Sequence, residues 1–151
     1  MKLLFPSLLV LGAIGQPATG QTAGATVQDT GQADPAWLAK CMEENGSTLG
    51  TAKCMVDHRM ALQEQQQKLL KRIRGKLAGP GAEGTDYKAA AASLADAQKH
   101  WEAFIAADCD IVGSVFGNGT AFGLAGEDCT INHYRARNDQ LRALEENYLT
   151  Q

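Results

Sequence analysis

Basic residues are in no surplus in this chain: 14 lysines and arginines stand against 17 acids, for a net charge of -3. A nucleic-acid binder usually carries the opposite balance, so that class is set aside. Aromatic residues make up only 6%, while alanine, glutamine and leucine are abundant. That composition favours helix over sheet, and no strand pattern or internal repeat competes with it. No H-E-x-x-H stretch occurs, and no two of His58, His100 and His133 lie one helical turn apart. Neither a metal site nor a cofactor is therefore expected, and each histidine reads as a surface or helix-end residue. Ser47, Ser93 and Ser114 sit in no G-x-S-x-G context, and Asp96 and Glu102 are not three or four apart. An enzyme is not expected.

The N-terminus sets the compartment. Met1-Lys2 is a short positive start, Leu3 to Ile14 is an apolar run interrupted by Pro6, and Ala18-Thr19-Gly20 fits a signal-peptidase site. The run is too short to span a bilayer, so residues 1–20 read as a cleaved secretory signal. Ala13-Ile14-Gly15 and Ala23-Gly24-Ala25 compete as cleavage sites, and no cysteine near any of them offers a lipid anchor. A periplasmic or secreted protein without a membrane span follows. Residues 21–34, polar and small apart from Val27, read as a disordered leader. The chain has four cysteines, and in an exported protein an even number implies disulfides rather than metal or redox chemistry.

The remainder, residues 35–151, reads as one helical domain. Asp34-Pro35 is a helix start, with Asp as N-cap and Pro at the first helical position. A short helix carries Trp37, Leu38 and Cys41 before Asn45-Gly46 breaks it. Ser47 or Thr48 caps a second helix, whose apolar face holds Met55, Leu62, Leu69/Leu70, Ile73 and Leu77 and is interrupted by Gln66. Its end carries Lys68, Lys71, Arg72, Arg74 and Lys76, cations favoured by the helix dipole. A third helix starts at Thr85 or Asp86 and runs to about Val112. Leu94, Ala97, Trp101 and Phe104/Ile105 form its stripe, with Trp101 as the expected anchor of the core. Gly113 to Gly126 contains five glycines and reads as a long loop with apolar anchors, functional or mobile. A fourth helix is expected from about Asp128 to Tyr148, with Ile131, Tyr134, Asn138 and Leu141 on its seam. The predicted core therefore includes Leu94, Trp101, Phe104, Tyr134 and Leu141. Three long helices and one short one make an antiparallel all-α bundle the economical architecture.

That topology gathers Cys41, Cys54, Cys109 and Cys129 at one end of the bundle. It excludes none of the three pairings; the sequence-near one, Cys41–Cys54 with Cys109–Cys129, needs the least assumption. Each bridge would close a short loop, worth roughly 3 kcal/mol in the chain-entropy picture.

The order Cys41…Cys54, Gln98-x-x-Trp101-x-x-Phe104-x-x-x-x-Cys109, a glycine-rich segment, Cys129 and Tyr134-x-x-Arg137-x-x-x-Leu141 resembles the lysozyme-inhibitor LprI N-terminal domain family. The resemblance covers about residues 37 to 144. It departs from the family at Ile105-Ala106, where an Arg-Asp pair is usual, and at Gln66-Gln67…Leu70, where Leu-Asn…Tyr is usual. It implies a small exported bacterial helical protein with paired cysteines and, as its partner, a lysozyme-type hydrolase. The alternative is an envelope scaffolding module without a hydrolase target. On the inhibitor reading the contacts come from the cysteine-bearing end: Val115, Phe116, Asn118 and Thr120 from the glycine-rich segment, with Asp108, Asp110, Glu127 and Asp128 supplying a modest negative field toward a basic enzyme.

Overall fold

A computed structural model describes residues 35–149; the expected signal, the leader and the Asp34 cap lie outside them. Four helices account for nearly all of this span: α1 (Pro35–Asn45), α2 (Thr48–Leu77), α3 (Tyr87–Val115) and α4 (Thr120–Tyr148). The described residues include no strand, so the fold is all-α.

Local chemistry sets the helix ends. The Asn45 side chain donates to the Cys41 carbonyl at 2.7 Å, occupying an acceptor that the end of α1 leaves open. Gly46 then reverses the chain at φ +53°. Ser47 caps α2, its hydroxyl accepting from the Gly50 N–H at 3.1 Å. Asp86 caps α3 in the same way, accepting from the Ala89 N–H at 2.9 Å.

The contacts fix the relative directions. On α3 and α4 the pairs run in opposite order: Cys109 with Cys129, Trp101 with Tyr134, Gln98 with Arg137. On α2 and α4 they rise together, from Arg59 with Glu127 to Arg72 with Glu145. Thus α3 runs against both neighbours. Helix α4 is central, packing on α2 and α3, while α2 and α3 touch each other little and α1 lies on α2.

The interior divides into two apolar clusters. Leu69, Leu70, Ile73, Leu77, Leu94 and Leu141 pack at the end away from the cysteines. Met55, Leu62, Ile105, Ile131 and Tyr134 pack near the cysteines, with Trp37, Leu38, Trp101 and Leu124 partly buried against them. Between them lies a polar layer of buried Gln66, Gln98 and Asn138. Gln98 Nε2 donates to Gln66 Oε1 at 3.0 Å, and Asn138 Nδ2 donates to the Leu62 carbonyl at 3.0 Å. Gln66 is therefore no break in the α2 face. It meets its counterpart on α3, and sliding the helices by a turn would strand both amides without partners.

Three expectations about α3 and α4 need correction. Phe104, expected in the core, is 55% exposed. Its neighbour Ile105 takes the interior position, because adjacent helical residues point about 100° apart and α4 covers only one of the two directions. Phe104 instead lies edge-on to His133 with centroids 5.5 Å apart. Trp101 is half-buried rather than the central anchor, edge-on to Tyr134 at 5.1 Å. Leu94, Tyr134 and Leu141 are buried. Finally, the glycine-rich segment is mostly helix: α3 runs on through Gly113 to Val115, α4 begins at Thr120, and only residues 116–119 form a turn. Gly113 is buried, and a Cβ there would stand 3.0 Å from the Phe122 ring. A glycine that looks like a breaker thus lets α3 and α4 approach closely, and that packing outweighs the ~1 kcal/mol helix penalty.

The basic run at the end of α2 is partly used inside the molecule. Arg72 Nη2 approaches Glu145 Oε2 at 2.8 Å and Lys76 Nζ approaches Oε1 at 3.3 Å. The bond from Arg72 is the leading cause that holds the Glu145 carboxyl below its ordinary pKa, with Lys76 adding to it.

Candidate functional site

The cysteine-bearing end is where the expected site residues and the apolar surface meet. Its frame is covalent. Cys41 of α1 is bonded to Cys54 of α2, and Cys109 of α3 to Cys129 of α4, with Cα separations of 5.8 and 5.5 Å. Each bridge ties two helices consecutive in the chain, so this end consists of two stapled helical corners joined by apolar packing.

The second corner presents the α3–α4 turn. Its N–H groups at Phe116 and Gly117 donate back to the Gly113 and Ser114 carbonyls at 3.0 and 3.1 Å. Gly117 at φ +75° and Gly119 at φ +110° reverse the chain through left-handed backbone that a side chain disfavours. Val115, Phe116, Asn118 and Thr120 are all exposed here, Val115 at 79%. The turn is short, glycine-defined and held between a disulfide and two helices, in place of the long loop expected.

Further apolar side chains, which sequence reasoning passed over, surround it. Leu49, in the first turn of α2, is 81% exposed, and Met42 is exposed on α1. A cleft of about 590 Å³ lies between the two corners, lined by Leu38, Met42, Met55, Phe116 and Leu124, with Asp128 at one side. A smaller one of about 380 Å³ adjoins it at Leu49, Ala52, Gly123 and Leu124. Grouping of exposed apolar side chains round clefts is a feature that interaction surfaces share. The one signal in the sequence was Leu49 standing apart from the α2 stripe, and its neighbours appear only once the α1–α2 corner is placed.

The acidic residues are not equally free. Asp108 Oδ2 lies 2.8 Å from His133 Nε2, and Glu127 is paired with Arg59 of α2. Asp128 is half-buried and accepts from Asn132 Nδ2 at 3.2 Å, while Asp110 stays exposed. The expected negative field is thus partly spent on contacts that tie the helices together, a hydrogen bond between Asp108 and His133 and the Arg59–Glu127 ion pair.

Beside this surface, α1 is clamped to the bundle by an aromatic stack. Trp37 lies parallel to His58 with centroids 4.2 Å apart, and the Arg135 guanidinium sits over the Trp37 ring at 5.2 Å. Arg135 Nη2 is 3.0 Å from His58 Nε2. Since arginine can only donate, that His58 nitrogen must be the acceptor and the imidazole neutral. Burial first, and the Arg135 charge second, lower the His58 pKa. His58 and His133 are therefore partnered, half-buried residues rather than the surface histidines expected; His100 is exposed.

Cys109, Cys129 and His133 lie within 4.8 Å of one another, a spacing that could suit a metal. The disulfide consumes both thiolates, which are the metal-binding form of cysteine, and Asp108 engages His133, so these residues do not fit an ion. None of the four described helices is long and apolar enough to cross a membrane.

Residues 39–141 match the family described as Lysozyme inhibitor LprI. No curated protein and no solved structure shows a significant match to the chain.

Proposed function

The chain belongs to the lysozyme inhibitor LprI family, and from that premise we propose that it is an exported, non-enzymatic protein that binds and inhibits a lysozyme-type cell-wall hydrolase through its cysteine-bearing end. The observation that carries this reading is the α3–α4 turn, where Val115 and Phe116 stand exposed at the tip of a disulfide-held helical corner. A hydrolase that cleaves a polysaccharide has a concave active site, and a narrow preordered wedge is the shape that blocks it. Val115 and Phe116 would occupy apolar sugar subsites, while Asn118 and Thr120 would hydrogen-bond to catalytic carboxylates. Because helices and a bridge already fix the turn, little conformational entropy remains to be lost on docking. Asp110 and Asp128 would contribute a weak, salt-dependent attraction to a basic enzyme.

Turbidity assays on bacterial cell walls with several lysozymes test the reading. Alanines at Gly117 and Gly119 would strain the turn, so the informative variants are Val115→Asp, Phe116→Asp and Asn118→Ala. Inhibition by the wild type is expected to fall at least about tenfold in Phe116→Asp, in line with the loss of a central aromatic contact, with an unchanged thermal melt. Equal inhibition by Phe116→Asp would move the contact surface elsewhere. A wild type that inhibits no lysozyme would favour the envelope-scaffold alternative.

A further inference from the structure

At the end of the bundle away from the disulfides, a cleft of about 590 Å³ opens along α3 and α4. Tyr87, Ala90, Leu94 and Ala97 line it from α3, and Leu141 and Leu144 from α4. Its volume lies in the range of small-molecule sites, and its lining is predominantly apolar, as such sites are.

One cation reaches this cleft, Arg137. It is half-buried, and its guanidinium sits over the Trp101 ring at 6.0 Å. Its Nε and Nη1 donate only long bonds, 3.4 Å each, to Gln98 Oε1 and Gln140 Oε1. Arg59, Arg72 and Arg142 each have a carboxylate partner, whereas no carboxylate of the described residues pairs with Arg137. Burial pushes its pKa down. A guanidinium has five N–H donors in a planar fork that matches a carboxylate, and most of this fork is uncommitted. Asp86 also borders the cleft, but its carboxylate caps α3 at Ala89. It lies about 18 Å along the helix from Gln98, which meets Arg137, by the 1.5 Å rise per residue.

An apolar trough with a single under-used guanidinium toward one end matches a molecule with one anionic head and one hydrocarbon tail. Thr85, Ser93, Gln140 and Tyr148 add a few polar side chains to the lining, fewer than the run of backbone N–H and C=O groups of an extended peptide would need. We propose that the cleft binds a monomeric long-chain alkyl carboxylate, of the fatty-acid type, with its head on Arg137 and its tail along Ala90, Leu94 and Leu144. The site lies at the opposite end of the bundle from the lysozyme-facing surface, so the two readings stand or fall separately.

Calorimetric titration of the mature, disulfide-bonded chain with dodecanoate below its micelle concentration tests this. Saturable binding of one molecule per chain is expected. Dodecanol, which lacks the charge, and butanoate, which lacks the tail, should each bind at least about tenfold more weakly, as should dodecyltrimethylammonium. Arg137→Gln should reduce dodecanoate affinity to the level of dodecanol. Ala97 is exposed, so Ala97→Leu should fill the trough without entering the core and abolish binding. Absence of saturable dodecanoate binding, or equal binding of dodecanol, overturns the proposal. Should Arg137→Gln unfold, Ala97→Leu decides: full binding by that variant also overturns it.

Discussion

The two ends of this bundle solve the same packing problem by different means. Away from the cysteines, six aliphatic side chains fill the space between three helices, and the Glu145 clamp by Arg72 and Lys76 closes the edge. No disulfide reaches that end. Near the cysteines the buried set is more mixed, with Met55 and Tyr134 among the aliphatics and half-buried Trp37 and Trp101 at its border. There two disulfides, the Arg59–Glu127 pair and the Trp37–His58–Arg135 stack supply the cohesion. The physical consequence is a division of labour. The end held by side-chain shape buries its six core aliphatics, although a cleft stays open along α3 and α4. An end held by covalent and ionic ties can leave Leu49, Val115 and Phe116 facing outward, where they are available to a partner.

Removing the bridges should break the comparison most forcefully. Replacing Cys109 and Cys129 by serine is expected to cost about 3 kcal/mol, and Cys41 with Cys54 a similar amount, from loop closure alone. Native-state hydrogen exchange should show α1 and residues 109–129 losing protection first, while residues 69–77 keep theirs. Equal loss at both ends would mean that the bundle opens as one unit.

A milder perturbation is pH. The folded-state pKa of His58 is depressed, so the unfolded chain binds the extra proton more readily. The contribution of neutral His58 is fully present above its ordinary value near 6.5 and is lost as pH falls through the lowered folded value. Thermal melts between about pH 7.5 and 5.5 should therefore decline for the wild type and flatten in His58→Gln. A variant that keeps the full slope would place the titration elsewhere.

The smallest effect sharpens the assignment of the α3 face. Phe104→Ala should change stability by no more than ~0.5 kcal/mol, as exposed positions do. Trp101→Ala should cost about 2 kcal/mol, short of the ~3–5 kcal/mol of a fully buried aromatic. Chemical denaturation of both variants measures this, and a larger loss for Phe104→Ala would reverse the assignment of the face.

The candidate site was only partly legible in the chain. Val115, Phe116, Asn118 and Thr120 were marked because glycines flank them, and they are exposed at the turn. Met42 and Leu49 were not, since they belong to the patch only through the α1–α2 corner. Asp108 and Glu127 read as free acids because their partners, His133 and Arg59, are remote in sequence: 25 and 68 residues away.

By itself the chain determined the four helices and the all-α architecture, and it narrowed the caps of α2 and α3 to Ser47 or Thr48 and Thr85 or Asp86. These depend on propensity, capping chemistry and periodicity, which act within a few residues. Tertiary structure chose between Phe104 and Ile105, turned most of the Gly113–Gly126 segment into helix, and gave Gln66 its partner on α3. Each of these outcomes depends on which atoms of a distant helix lie within a few ångströms. A one-dimensional pattern carries the direction of a side chain around its own helix, but not the direction from which the next helix arrives.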